Sequence, residues 1–124
     1  MSDKPIAERL QVKKGRRLAI LSAPRGVDAL IGAADARAKL ADADVLLVFA
    51  KDGKELKTRF ADLERAPQAA ILWLAYPKLT SKLAGDLNRD MLHEAAIAHG
   101  LDTVSQIAID EDWTALRFKR VSQK

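Results

Sequence analysis

Three stretches of the chain carry apolar residues at nearly every position: Leu18-Ala19-Ile20-Leu21-Ser22-Ala23, Val45-Leu46-Leu47-Val48-Phe49-Ala50 and Ala69-Ala70-Ile71-Leu72-Trp73-Leu74-Ala75. A run without polar alternation is buried on both faces, the pattern of parallel strands sandwiched between helices. Between the runs the spacing becomes helical. Val27, Leu30, Ile31 and Ala34 follow the first run. After the second, Asp52-Gly53-Lys54-Glu55 has the form of a capping box, and Leu56, Phe60 and Leu63 mark one helical face. Pro67 closes that segment. The stretch from Ala36 to Ala43 reads either as more helix or as a short edge strand over 36–41.

Ahead of the first run, Pro5 to Val12 reads as a short helix with Ile6, Ala7 and Leu10 inward, stopped by Lys13-Lys14-Gly15. Beyond the third run lies a polar loop, Leu79 to Gly85. A helix then follows, capped by Asp86 or Asn88, with Leu87, Met91, Ala95 and Ala98 inward and Gly100 as its left-handed stop. Val104, Ile107 and Ile109 read as a strand, and Asp110-Glu111-Asp112-Trp113 as a turn. Leu116 and Phe118 alternate with Arg117 and Lys119, a strand with one wet face.

The chain therefore reads as a single α/β domain over 1–124, β-α-β-α-β-α closed by an antiparallel hairpin. Right-handed crossovers give a mostly parallel sheet in the order first, second, third, fifth, fourth. Winding in one direction places crossover helices on one face, so the other face needs cover. The N-terminal helix can supply it. So can a strand at 36–41 that carries the Val27–Ala34 helix across, or a partner subunit.

Each long run is followed by a cation: Arg25, Lys51 and Lys78. In a parallel sheet all three stand at the carboxyl edge, where open α/β sheets bind ligands. With Gly26 opening the next helix, they form a candidate anion site. Asp86, Arg89 and Asp90 lie near the same rim, either facing Lys78 and Ser81 or serving as cap, first-turn carboxylate and ion pair of their own helix. Trp113, with Tyr76, either walls a pocket or packs on the sheet. His93 and His99 are six apart, with His93 turned away from the Leu87–Met91 stripe, and make no metal site. Ser22 and Ser81 have no positioned base, and no catalytic residue is identified.

Composition narrows the partners. The 124 residues contain no cysteine, which excludes disulfides and thiolate metal sites. No apolar run approaches the roughly 20 residues of a membrane span, and no signal-peptide core follows Met1, so a cytoplasmic location is the default expectation. Net charge is +4, with local clusters at Lys13-Lys14-Gly15-Arg16-Arg17 and at Arg117, Lys119, Arg120 and Lys124. The basic residues are interspersed with 17 acidic ones and aromatics are only 5%. That composition offers no stacking platform and disfavours nucleic acid. The partners left are an anionic small molecule and a second copy docked through the sheet face or hairpin; no cofactor is expected.

The layout resembles the later part of a class I methyltransferase domain, a Rossmann-like fold. Glu8-Arg9-Leu10-Gln11-Val12-Lys13-Lys14-Gly15-Arg16-Arg17-Leu18 is similar to the lead-in to that family's first strand, Asp42 through Phe49 to its fourth strand and Ala70 to Lys78 to its fifth. A small family of uncharacterised bacterial proteins, truncated versions of this fold, is more closely similar. The resemblance lies in Leu21-Ser22-Ala23-Pro24, Tyr76-Pro77-Lys78, Asp86-Leu87-Asn88-Arg89-Asp90, Asp110 to Trp113 and Leu116-Arg117-Phe118. It implies a shared fold and carries no assigned activity. The methyltransferase likeness implies a Gly-rich turn after the first strand and an acidic residue after a second strand for the ribose of adenosylmethionine. Here the turn Ser22-Ala23-Pro24-Arg25-Gly26 has one glycine, and Pro24 lacks an N–H. Only Asp35 and Asp42 are candidates for the acid. The leading expectation is thus a small Rossmann-like domain that binds an anionic ligand or a protein partner. A degenerate methyltransferase-like enzyme is the alternative, and a basic nucleic-acid accessory protein the third reading.

Overall fold

In the computed structural model, which describes residues 5–13, 15–32 and 36–121, the strand Val45–Phe49 is buried at every position. It lies inside a five-stranded sheet made of β1 (Leu18–Leu21), β2 (Val45–Phe49), β3 (Ile71–Pro77), β4 (Leu101–Ala108) and β5 (Trp113–Arg120). The order is β1-β2-β3-β5-β4, as the sequence reading expected. β1, β2 and β3 are parallel, while β5 runs antiparallel to β3 and β4. The helices are α1 (Ile6–Arg9), α2 (Val27–Ile31), α3 (Gly53–Arg65) and α4 (Arg89–Ala98).

Strand alternation divides the core in two. Leu46, Val48, Leu72, Leu74 and Phe118 face one side, where α3 brings Leu56, Phe60 and Leu63 and α4 brings Leu92 and Ala96. Leu18, Val45, Leu47, Phe49 and Trp73 face the other side, covered by Ala7 and Leu10 from the α1 segment and Val27 and Ile31 from α2. The face that needed a cover thus has one within the chain. Arg37 explains how. It forms a single parallel bridge with Leu18, on the side of β1 away from β2. The first crossover therefore runs outward, and a right-handed connection in that direction lays α2 on the face opposite α3. Ala36–Ala43 is accordingly neither the helix nor the strand expected. One bridge is followed by a 3-10 turn at Leu40–Asp42.

Three expectations are corrected. Helix α2 stops at Gly32, whose φ of 81° breaks the helix, and Leu30 is 52% exposed. Ala34, with Asp35, lies outside the described residues. On α4 the buried stripe is Leu92 and Ala96, whereas Met91 and Ala98 are exposed. The phase slipped because Asn88 is the N-cap, accepting from Met91 N at 2.9 Å. Leu87 therefore precedes the helix and packs with Leu92 as a hydrophobic staple. In β4 the strand starts at Leu101, and a bulge between Thr103 and Ser105 reverses the alternation, leaving Val104 exposed.

The bridge strand is tied to α2 by Arg37, which pairs with Asp28 at 2.9 Å and donates to Gly32 O. Hydrogen bonding and the charge of Arg37 hold the Asp28 carboxyl below its ordinary value against a raising effect of burial. The stabilisation from this pair is complete above the unfolded carboxylate value of about 4 and is lost as pH falls through the lowered one. In Asp28→Asn the fall in urea midpoint between pH 6 and pH 3 should therefore be smaller than in the parent chain. Leu72, fully buried between β2 and β5, gives a second test. Leu72→Ala should lower stability by about 2–5 kcal/mol in urea titration. Leu72→Asp should yield no folded protein, because a buried carboxylate without a partner is not tolerated.

Candidate functional site

The parallel strands end at a rim built by three turns. After β1, Ser22 takes a φ of 63° and Gly26 one of 86°, so the chain bends sharply before α2. After β2, Asp52 caps α3 by accepting from Glu55 N at 3.2 Å, and Glu55 Oε1 accepts from Lys51 N at 2.9 Å. This is the expected capping box, with its return bond displaced by one residue. After β3, the loop 78–88 is pinned at both ends. Ser81 Oγ donates to Asp112 Oδ1 at 2.7 Å and accepts from Leu83 N. Asp86 Oδ1 accepts from Gly53 N at 2.8 Å.

These contacts reassign two expected ligand residues. Asp86 neither caps α4 nor faces a cleft. It occupies the N-terminus of α3, where unpaired backbone N–H groups and the helix dipole favour a carboxylate. Ser81 belongs to the link between the loop and the β4–β5 turn. In that turn Asp110 Oδ1 accepts from Asp112 N and Trp113 N, both at 2.8 Å, which fixes the backbone that carries Trp113.

Trp113 meets Phe49 edge to face, with centroids 5.2 Å apart. The pair walls a cleft of about 440 Å³ at the ends of β1, β2 and β3. Pro24, Pro77 and Leu83 add apolar surface, Ser22 lies at the β1 end, and α3 contributes Glu55 and Arg59 alongside Lys51. Arg59 bonds Asp62 at 2.9 Å through one terminal nitrogen, and its buried Nε has no acceptor among the described residues. Lys51 forms no ion pair among the described residues.

The three rim cations do not share this cleft. Lys51 lines it. Lys78 lines a separate cleft of about 390 Å³ with Arg89, Tyr76, Gln106 and Thr114. Arg25 and Gly26 line neither. Burial pushes the Tyr76 phenol up, against the lowering effects of the Arg89 charge and the Gln106 hydrogen bond. Sequence reasoning missed Phe49, Glu55 and Arg59 as cleft residues. Glu55 and Arg59 are one helical turn apart beside Lys51, a spacing that was legible.

A larger depression, about 800 Å³, lies at the opposite edge of the sheet. Several of its polar groups hold the fold. Arg120 donates to the carbonyls of Leu63, Ala66, Pro67 and Gln68, closing the C-terminus of α3. His99 bonds Glu64 at 2.7 Å and stacks on Phe60. His93, rather than standing free, bonds Thr103 at 2.9 Å. In the basic clusters, Arg16 donates to Gln11 O and Arg17 to Arg37 O. Lys14 and Lys124 lie outside the described residues. No group of three or more His, Cys, Asp or Glu suited to a metal occurs among the described residues, and none of the described helices is long and apolar enough to cross a membrane.

The chain matches no family model and no curated protein sequence. Its architecture is that of class I methyltransferases. The ribosomal protein L11 methylase of Lactobacillus delbrueckii subsp. bulgaricus superimposes with a TM-score of 0.58 at 12% identity, over 94% of this chain and 75% of that one. A TehB-like SAM-dependent methyltransferase of Corynebacterium glutamicum gives 0.56 at 11% identity, over 96% and 89%. For a mitomycin 7-O-methyltransferase the values are 0.57 and 8%, over 94% of this chain, which spans 53% of that enzyme's length. Identities this low establish the fold alone.

The loop anchorage can be tested directly. Asp86→Ala should lower stability by about 0.5–2 kcal/mol, as loss of a helix cap does. It should also accelerate proteolysis within 78–88, read by mass spectrometry of the fragments.

Proposed function

We propose that this chain is a small ligand-binding domain of methyltransferase-like fold that holds an anionic small molecule in the Lys51–Trp113 cleft and carries out no methyl transfer. One observation carries this reading. The winding of the chain reverses between β1 and β2, since one neighbour of β1 is the Arg37 bridge and the other is β2. A reversal point opens a crevice at the carboxyl ends of the strands, the usual ligand position in open α/β sheets. Ser22 after β1 and Lys51 after β2 both line the cleft there. Its aromatic and proline walls suit the apolar body of a ligand, and Lys51 with Arg59 suits a carboxylate or phosphate on it.

The described residues do not fit adenosylmethionine. The segment expected to supply the ribose-binding acid turns away after one bridge. Ala38 N donates to Leu18 O, and Asp44 N to Arg17 O, so the backbone from Arg37 to Asp44 stays beside the amino end of β1. Asp42 lines a depression with Arg17, Arg37 and Lys39 there. At the β1 turn, Pro24 offers no N–H and Ser22 already occupies a left-handed conformation. The similarity to the small bacterial family belongs to the same proposal. It is supported by the places of its phrases, since Tyr76, Lys78 and Arg89 line one cleft and Ser22, Pro24, Pro77 and Trp113 the other.

Calorimetric titration with adenosylmethionine up to 1 mM should give no saturable heat; micromolar affinity would favour the degenerate-enzyme alternative. The positive arm uses Trp113 as the probe. Among small carboxylates and phosphate esters, at least one should change tryptophan emission saturably. The change should vanish in Trp113→Phe, and affinity should fall about tenfold in Lys51→Ala, the loss of one charge-assisted contact. A signal that survives Trp113→Phe and Lys51→Ala sinks the proposal.

A further inference from the structure

The second cleft lies on the other side of the β3 end, above the face that carries α3 and α4. Three polar side chains stand in a row across three strands there. Tyr76 on β3 pairs with Thr114 on β5, and Gln106 Nε2 on β4 donates to Thr114 Oγ1 at 3.0 Å and to the Tyr76 phenol oxygen Oη at 3.5 Å. Thr114 Oγ1 in turn donates a hydrogen bond to Ile107 O. The row is thus satisfied except at one end. Tyr76 is only 4% exposed, yet its O–H proton has no acceptor among the described residues. A buried phenol with an undonated proton, lining an open cleft, is a built donor site for a ligand.

The groups around it have one sign. Lys78, Thr80 and Arg89 complete the polar lining, and no carboxylate lines the cleft. Neither Lys78 nor Arg89 forms an ion pair among the described residues. Asp86 is engaged with Gly53 N and Asp112 with Ser81, and Asp90, next to Arg89 in sequence, does not line the cleft. Two cations and a hydroxyl donor around about 390 Å³ select an oxyanion. The guanidinium fork of Arg89 matches the two oxygens of a carboxylate or phosphate, and the absence of acidic lining leaves nothing to attract a cation. The volume suits a small organic molecule.

We propose that this cleft is a second binding site, separate from the Lys51–Trp113 cleft, for a small molecule bearing a carboxylate or phosphate. Arg89 and Lys78 grip its oxygens and the Tyr76 hydroxyl donates to them. A phenol is a protonated donor at neutral pH, and burial pushes the Tyr76 value further up, so phenol ionisation bears on binding only under strongly alkaline conditions.

The test is a titration of the ¹⁵N-labelled full chain, followed by NMR, with inorganic phosphate and separately with acetate, at constant ionic strength set by chloride. At least one probe should shift the Gln106 side-chain amide and the backbone amides of Lys78, Thr80 and Arg89 saturably. Saturation by phosphate alone or by acetate alone supports the site and names its ligand class. Arg89→Gln should weaken binding about tenfold or more, and Tyr76→Phe, which removes only the hydroxyl, by a smaller factor if Arg89→Gln does not fold. Lys51→Ala should leave it unchanged, so this site stands or falls independently of the first cleft. Shifts that stay linear with both anions, or that persist undiminished in Arg89→Gln and in Tyr76→Phe, overturn the proposal.

Discussion

The constraint on which this structure depends is the burial of both faces of β2. A strand of Val45-Leu46-Leu47-Val48-Phe49 exposes nothing, so a chain of this size must lay helices on both sides of one sheet. Winding in a single direction cannot do that. The contact between Leu18 and Arg37 solves the problem with one bridge, sending the first crossover outward and α2 to the otherwise bare face. The same reversal opens the crevice at the carboxyl edge. Core burial and the position of the Lys51–Trp113 cleft thus follow from one topological choice.

The rim sorts its charges. Asp52, Glu55, Asp86 and Asp110 each accept from a backbone N–H, shaping the turns after β2 and β3 and the β4–β5 connection. Carboxylates suit that task, because turns and helix N-termini leave backbone donors without partners. The side chains of Lys51, Lys78 and Arg89 form no ion pair among the described residues and line the clefts. A chain with modest net charge therefore acquires a locally cationic edge by engaging its acidic groups internally.

Sheet order, strand identity and the α3 face were legible because each rests on local pattern: continuous apolar runs, a capping box, and Leu56, Phe60 and Leu63 at helical spacing. The position of Lys51 and Lys78 at the carboxyl edge followed from parallel order alone. What was not legible depends on register or on distant partners. The bulge at Thr103/Ser105 decides which face Gln106 joins. The α4 phase turned on Asn88 rather than Asp86 as cap, and Asp86 was unavailable because it binds Gly53, 33 residues away in sequence. The split of the rim cations into two clefts has a similar origin. Pro77 and Tyr76 occupy opposite faces of β3, so the strand end separates what a linear reading groups together.

Trp73 shows how such distant partners bear on the route to this structure. Its indole N–H donates to Leu10 O at 2.9 Å, 63 residues back along the chain, while Leu10 itself is fully buried. Helix α1 has only four residues and is too short to persist alone. On a ribosome, where the amino-terminal end emerges first, this segment can meet α2 and β2 earlier, but Leu10 O has no indole partner until β3 has been synthesised and has paired with β2. This segment therefore completes its contacts only once β3 is in place. Until then its apolar residues are the part of the nascent chain that a chaperone would meet.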